Sequence, residues 1–86
     1  MKAINKSVFR GSSIWKKKRN EIIMRDGFKC AICQCTKNLQ VHHIYSLDNY
    51  PNMKLENNNL ITLCDICHHK AHNGMYSPVF LLNKIK

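Results

Sequence analysis

Two identical cysteine pairs, Cys30-Ala31-Ile32-Cys33 and Cys64-Asp65-Ile66-Cys67, are the residues of this sequence best placed to act as one chemical group. Together they offer four thiolates, enough for one closed tetrahedral Zn²⁺ site. Thirty residues lie between Cys33 and Cys64. A simple zinc ribbon needs only about 15–20 there, so the spacing predicts an insert between two knuckles. Rival readings of the cysteines are weaker. Disulfides need an oxidising compartment, for which the chain carries no signal. A redox Cys-x-x-Cys accompanies a βαβ pattern that is absent here. Cys64-Asp65-Ile66-Cys67-His68 also matches a c-type haem attachment pattern, but haem would need export and an axial ligand and would leave the first pair unexplained. Cys35 lies too close to Cys33 to serve as a fifth ligand and reads as a spare thiol.

The insert and the short helix that the second knuckle leads into also hold all five histidines, His42, His43, His68, His69 and His72. A single histidine is ordinarily a solvated or hydrogen-bonded side chain. An adjacent pair and a triple, both flanking the same two knuckles, argue for more than chance. On a helix, His68 and His72 stand four residues apart and project from one face, a spacing that suits two imidazoles on one ion. His69 points about 100° away from His68 and reads as a surface or phosphate-contact residue.

These side chains need elements to hold them. Trp15, Ile22 and Ile23, with the stem of Arg19, form a narrow apolar stripe at helical spacing. The helix is expected to start near Ser13 as N-cap and to end at Gly27 in a left-handed conformation. Leu39-Gln40-Val41-His42-His43-Ile44 and Leu60-Ile61-Thr62-Leu63 read as strands, separated by a polar loop with a turn at Asn49-Tyr50-Pro51-Asn52. A short helix is expected from about Asp65 to Asn73, stopped by Gly74. Adjacent strand residues face opposite ways, so His42 and His43 can serve one site only if the strand ends or twists there. The organisation expected is an N-terminal arm at 1–12, a domain at 13–74 and a tail at 75–86. That tail, with Val79-Phe80-Leu81-Leu82, would pack back on the domain.

An 86-residue chain has room for one domain and little core, so a metal staple is the natural supplement. Fourteen Lys and Arg against five acidic residues give a net charge of +9, which favours polyanionic partners, nucleic acid first and an anionic membrane surface second. The charge is lopsided: residues 1–29 hold nine basic and two acidic side chains, residues 30–86 five and three. Lys16-Lys17-Lys18-Arg19 falls in the first turn of the expected helix, where each exposed positive charge opposes the helix dipole at ~0.3–1 kcal/mol. The bland reading is a solvated face. The unfavourable placement in so basic a chain favours a phosphate-facing one. No apolar run resembles a secretory signal or approaches the roughly 20 residues of a membrane span. The expected setting is the cytoplasm, or the host cytosol for a phage-encoded chain.

Arg25-Asp26-Gly27, Cys30-x-x-Cys33, Val41-His42-His43-Ile44, Asn59-Leu60-Ile61-x-Leu63-Cys64-x-x-Cys67-His68 and His72, in that order, resemble an HNH endonuclease of the zinc-knuckle kind. The resemblance runs from about Trp15 to His72. The Asn and His-x-x-x-His run is also similar to that of the nuclease colicins, which lack the cysteine pairs. The resemblance implies an α+β fold: a small ββα-metal, treble-clef-like domain with an N-terminal helix and a structural zinc site on Cys30, Cys33, Cys64 and Cys67. It implies His42 and His68 as ligands of a catalytic divalent ion (Mg²⁺, Mn²⁺ or Ni²⁺), with His72 available as a third. His43 would be the general base, and Asn59 would brace the loop or orient His43.

The implied activity is metal-dependent cleavage of DNA with weak sequence preference, since so short a chain leaves little surface for base readout. An imidazole with an ordinary pKa near about 6.5 can take a proton from water at neutral pH. The rival from another class is a zinc-dependent DNA-binding module without catalysis. It accounts for the charge and the cysteines but leaves the histidine set idle. A metal-storage role makes the charge irrelevant. Small HNH proteins work beside phage packaging proteins, and the chain resembles them in size.

Overall fold

The computed structural model describes residues 6–85; residues 1–5 of the expected arm lie outside them. Within the arm, Lys6–Gly11 form a short helix, α1. The main helix, α2, runs Ser13–Arg25, and its N-cap is Ser12 rather than Ser13: the Ser12 Oγ accepts from the Trp15 backbone N–H. One residue's difference follows from the same chemistry, because either serine could offer its hydroxyl and the α1–α2 corner selects the first. At the other end the Gly27 N–H reaches the Met24 carbonyl and the Phe28 N–H the Ile23 carbonyl. This is a Schellman closure, with Gly27 at φ +77°.

Two strands follow, β1 (Gln40–His43) and β2 (Leu60–Leu63), paired antiparallel with Gln40 opposite Leu63 and His43 opposite Leu60. The loop between them contains single 3-10 turns at Pro51–Met53 and Asn57–Asn59. Then come α3 (Asp65–His72) and α4 (Pro78–Leu82). Every residue of β2 is buried, because the ribbon is covered on both faces. Period-two alternation sorts its side chains. Ile61 and Leu63 join Cys30, Ile44, Cys64, Cys67 and Leu81 in one cluster. Leu60 joins Phe9, Trp15, Ile22 and Leu47 in the other. The apolar tail contributes Leu81 to the cysteine side, while its neighbour Val79 is exposed.

Among the described residues the chain is therefore a small α+β fold with a two-stranded sheet, consistent with the ββα-metal architecture, and with four clustered cysteines forming a possible zinc site.

Arg25 and Asp26 fasten α2 to this sheet. The Asp26 carboxylate takes both an Arg25 pair, at 2.9 and 3.0 Å, and the Thr62 backbone N–H at 2.9 Å. Arg25 also donates to the carbonyls of Asn57 and Leu60. The Asp26 side chain is 7% exposed, so truncation strands a buried N–H and a cation together. Asp26→Ala is expected to cost about 2–4 kcal/mol in urea denaturation of the zinc-loaded protein. A change below about 0.5 kcal/mol, the level of an ordinary surface substitution, would show that the clamp contributes little.

Candidate metal centres and catalytic cleft

Helix α3 begins in one cluster of side chains that could hold a metal ion and ends in another. Cys64 is its N-cap and Cys67 lies in its first turn; His68, the next residue, points away from the cysteines, and His72 stands one turn later on the same face.

In the first cluster the sulfur atoms of Cys30, Cys33, Cys64 and Cys67 all lie within 4.8 Å of one another. Thiolates bound to a tetrahedral zinc at ~2.3 Å sit ~3.8 Å apart, and the Cys33 and Cys64 sulfurs are 3.5 Å apart. Backbone N–H groups aim at the sulfurs, from Ile32 and Cys33 at Cys30 and from Cys67 at Cys64. Burial pushes the Cys30 thiol up, but the backbone N–H groups of Cys33, Cys64 and Ile32 outweigh it and bring it down to about 7. Burial and the neighbouring sulfurs drive Cys67 far the other way. A set in which one thiol ionises readily and another resists because its neighbours are so close is one that a dication would relieve. All four cysteines are free thiols. Cys35 is exposed and outside the cage; its carbonyl accepts the Cys30 N–H at 2.8 Å and so shapes the knuckle.

The second cluster is His42, His68 and His72, whose ring nitrogens also fall within 4.8 Å of one another. His42 comes from β1, the others from α3, with ring centroids 5.2 and 5.4 Å from His42. The Nε2 atoms of His68 and His72 are 3.1 Å apart. That separation suits neighbouring nitrogens on an ion with bonds of ~2.0–2.1 Å, and equally an N–H···N bond without one. Burial first, and then the charges of His68, His72 and His43, lower the His42 pKa to about 4. Burial and the His72 charge lower His68. Both rings are thus held neutral, the state in which imidazole binds metal.

His43 turns to the opposite face of β1. Its ring stacks on Trp15 at 5.1 Å and 23°, beside Phe9 at 6.1 Å. Its Nε2 lies 3.0 Å from the Lys54 carbonyl. A carbonyl only accepts, so Nε2 carries the proton and Nδ1 keeps its lone pair. Burial lowers the His43 pKa, the Lys54 carbonyl opposes this, and Arg10 lowers it further.

The strand alternation that threatened to separate His42 from His43 does separate their contacts, but the strand ends at His43. A cleft of about 560 Å³ wraps around that end, lined by both histidines, His68 and His72, together with Arg10, Trp15 and Arg19.

Asn59 is completely buried. Its Oδ1 accepts from the Tyr45 N–H at 2.7 Å, and its Nδ2 donates to the carbonyls of Tyr45 and Met53. It ties Tyr45 to Met53, the residue before Lys54, and its side chain makes no hydrogen bond to His43. The basic run is divided in use. Lys16 and Lys17 are exposed. Lys18 reaches Asn57 Oδ1 at 2.7 Å and Glu21 at 3.4 Å. Arg19 donates to the Leu39 carbonyl while lining the cleft. His69 is exposed beside Asn73. Sequence reasoning missed Arg10, Phe9 and the Lys54 carbonyl. The concentration of charge in residues 1–29 was a signal for the first, but nothing in the pattern singled out one cation.

Residues 30–74 match the family model of the HNH endonucleases. The chain is similar to a COX1/OXI3 intron 2 protein of Saccharomyces cerevisiae, 36% identical over 58 residues, which are 56% of this chain and 7% of that protein. It is also similar to the Septu protein PtuB of Bacillus thuringiensis, 28% identical over 78 residues, 80% of this chain and 30% of that one. The chain thus spans less than a third of either relative. No solved structure matches. Among the described residues no helix is long and apolar enough to cross a membrane.

Proposed function

The chain belongs to the HNH endonuclease family, and from that premise we propose that it is a metal-dependent endonuclease hydrolysing phosphodiester bonds in DNA. One observation carries the reading: an oriented imidazole and a three-imidazole cluster open onto the same cleft, apart from the four-thiol cage. A DNA-binding module alone has no need of either.

In this reading the four cysteines hold a structural zinc ion, and His42 and His68, with His72, hold a single divalent ion. That ion, when bound, supplies charge to screen a non-bridging phosphate oxygen and to stabilise the departing 3′ oxygen. An all-nitrogen donor set suits a later transition metal such as Ni²⁺ better than Mg²⁺. The protein's own part is proton handling and positioning. His43 Nδ1 takes a proton from water as the water oxygen attacks phosphorus. The bond from phosphorus to the 3′ oxygen breaks, leaving a 5′ phosphate and, after protonation from solvent, a 3′ hydroxyl. The Lys54 carbonyl keeps His43 in the tautomer that can do this, and Asn59 is a positioning residue acting through that loop. Lys16, Lys17 and Arg19 contact flanking phosphates. We place this activity in the cytoplasm, where thiols stay reduced.

The test is zinc-loaded protein with supercoiled plasmid, titrated with Mg²⁺, Mn²⁺ and Ni²⁺. Nicked circles should accumulate with added ion and stop with a mild chelator that leaves the zinc in place. Tight DNA binding without cleavage under any ion, and with one metal bound per chain, would establish the non-catalytic module instead.

A further inference from the structure

Arg10 is the cleft cation that neither the metal centres nor the base accounts for. It lies in the last turn of α1 and lines the cleft with His43 and His68. Phe9, buried and 5.1 Å from the Trp15 ring, fixes this turn against the stack that holds His43. The base, the metal cluster and this cation thus border one solvent-filled space. Arg25 has Asp26 as its counter-ion, whereas no carboxylate lines this cleft among the described residues.

We propose that Arg10 is a catalytic residue whose guanidinium binds the scissile phosphate, an inference that rests on the phosphodiesterase reading above. A guanidinium presents parallel N–H donors that match two phosphate oxygens. As water adds to phosphorus, charge accumulates on the non-bridging oxygens, and a pre-positioned cation there stabilises the transition state more than the bound substrate. Arg10 therefore acts on turnover, where Lys16 and Lys17, outside the cleft, act on affinity.

The experiment compares the parent with Arg10→Ala, Arg10→Lys and, as a charge control, Lys37→Ala on the exposed knuckle loop. Arg10→Ala should lower kcat by ~10²-fold or more with a smaller change in KM. Arg10→Lys should fall between, and millimolar guanidinium should restore part of the Arg10→Ala rate while leaving Lys37→Ala unaffected. A second readout needs no cleavage. Trp15 is the only tryptophan and lines the same cleft, so its fluorescence reports inorganic phosphate binding, which Arg10→Ala should weaken by at least ~10-fold, a cost typical of losing a charged hydrogen-bond partner. If the parent nicks and Arg10→Ala nicks equally well, Arg10 has no such role and the nuclease reading stands. If the parent never nicks, the nuclease reading falls, and the phosphate titration alone decides: equal affinity in both proteins overturns the Arg10 assignment.

Discussion

His43→Ala is expected to reduce plasmid nicking by ~10²–10⁴-fold, the usual worth of a positioned general base, while zinc content stays unchanged. The size follows from geometry. His43 has one ring nitrogen committed to the Lys54 carbonyl, so the other is the lone pair that faces the cleft. No other described histidine combines a free lone pair with separation from the metal cluster. The substitution also removes a ring stacked on Trp15, so some stability is lost with it. Free imidazole distinguishes the two effects: it should restore part of the rate if a base is missing and none if the cleft has collapsed. The pH dependence has a definite sign. The His43 pKa lies below its ordinary value because the ring is buried, so the neutral base persists as the solution is acidified. Activity should therefore hold through neutrality and fall only below about pH 6.5, where an ordinary histidine is already half protonated. A bound divalent ion nearby moves the acid limb in the same direction. A rate unaffected by His43→Ala would remove the base from this scheme; an acid limb centred above that pH would contradict the buried, neutral ring.

Periodicity and ligand spacing carried most of the architecture. Trp15, Ile22 and Ile23 mark the buried face of α2, and Gly27 marks its end, because a 3.6-residue stripe and a left-handed terminus leave few alternatives. The Cys-x-x-Cys repeat identifies the thiol cluster because the pairs can only converge if the chain between them folds back. What could not be read is equally physical. Helix α1 is six residues long, too short to show a period, and among its described side chains Phe9 alone is buried. Its position therefore depends on Trp15 and Leu47, which only tertiary structure brings near. The problem of two adjacent histidines on one strand was legible, but its resolution was not. Alternation holds in full, and the site is made common by a cleft that curls around the strand end. The partner of His43 was hidden for a different reason. It is a backbone carbonyl, Lys54, and any residue type could supply that oxygen.

The division of labour along α3 also explains how two candidate metal-binding clusters fit in so small a chain. The N-terminus of the helix is fixed by Cys64 and Cys67, and the residues directly after them, His68 and His72, inherit that placement. His42 reaches them from β1, which is paired with the strand that leads into Cys64. The cysteine cage is thus the fixed end of the lever whose other end is the histidine cluster.

Removing the cage metal should accordingly abolish both the fold and the second metal site. Structural zinc in thiolate sites contributes on the order of 10 kcal/mol, as much as the whole net stability of about 5–15 kcal/mol of an ordinary domain. The apolar clusters here are small, and Cys30, Cys64 and Cys67 are themselves part of the buried core; without zinc they become crowded thiols with no compensating contact. A graded chelator experiment separates the two centres. A weak chelator should withdraw the ion on His42, His68 and His72, stopping cleavage while the circular dichroism and thermal transition stay near those of the zinc protein. A strong chelator that also takes the zinc should erase the cooperative transition. Refolding should return when Zn²⁺ is restored under reducing conditions, not when Mg²⁺ is. Cys67→Ser should behave like the stripped protein, since that sulfur is buried within the cage. Cys35→Ser should bind one zinc as the parent does, because Cys35 lies outside it. Retention of a native thermal transition after complete zinc removal would mean that the apolar clusters suffice alone, and the positioning of His68 and His72 would then need another cause.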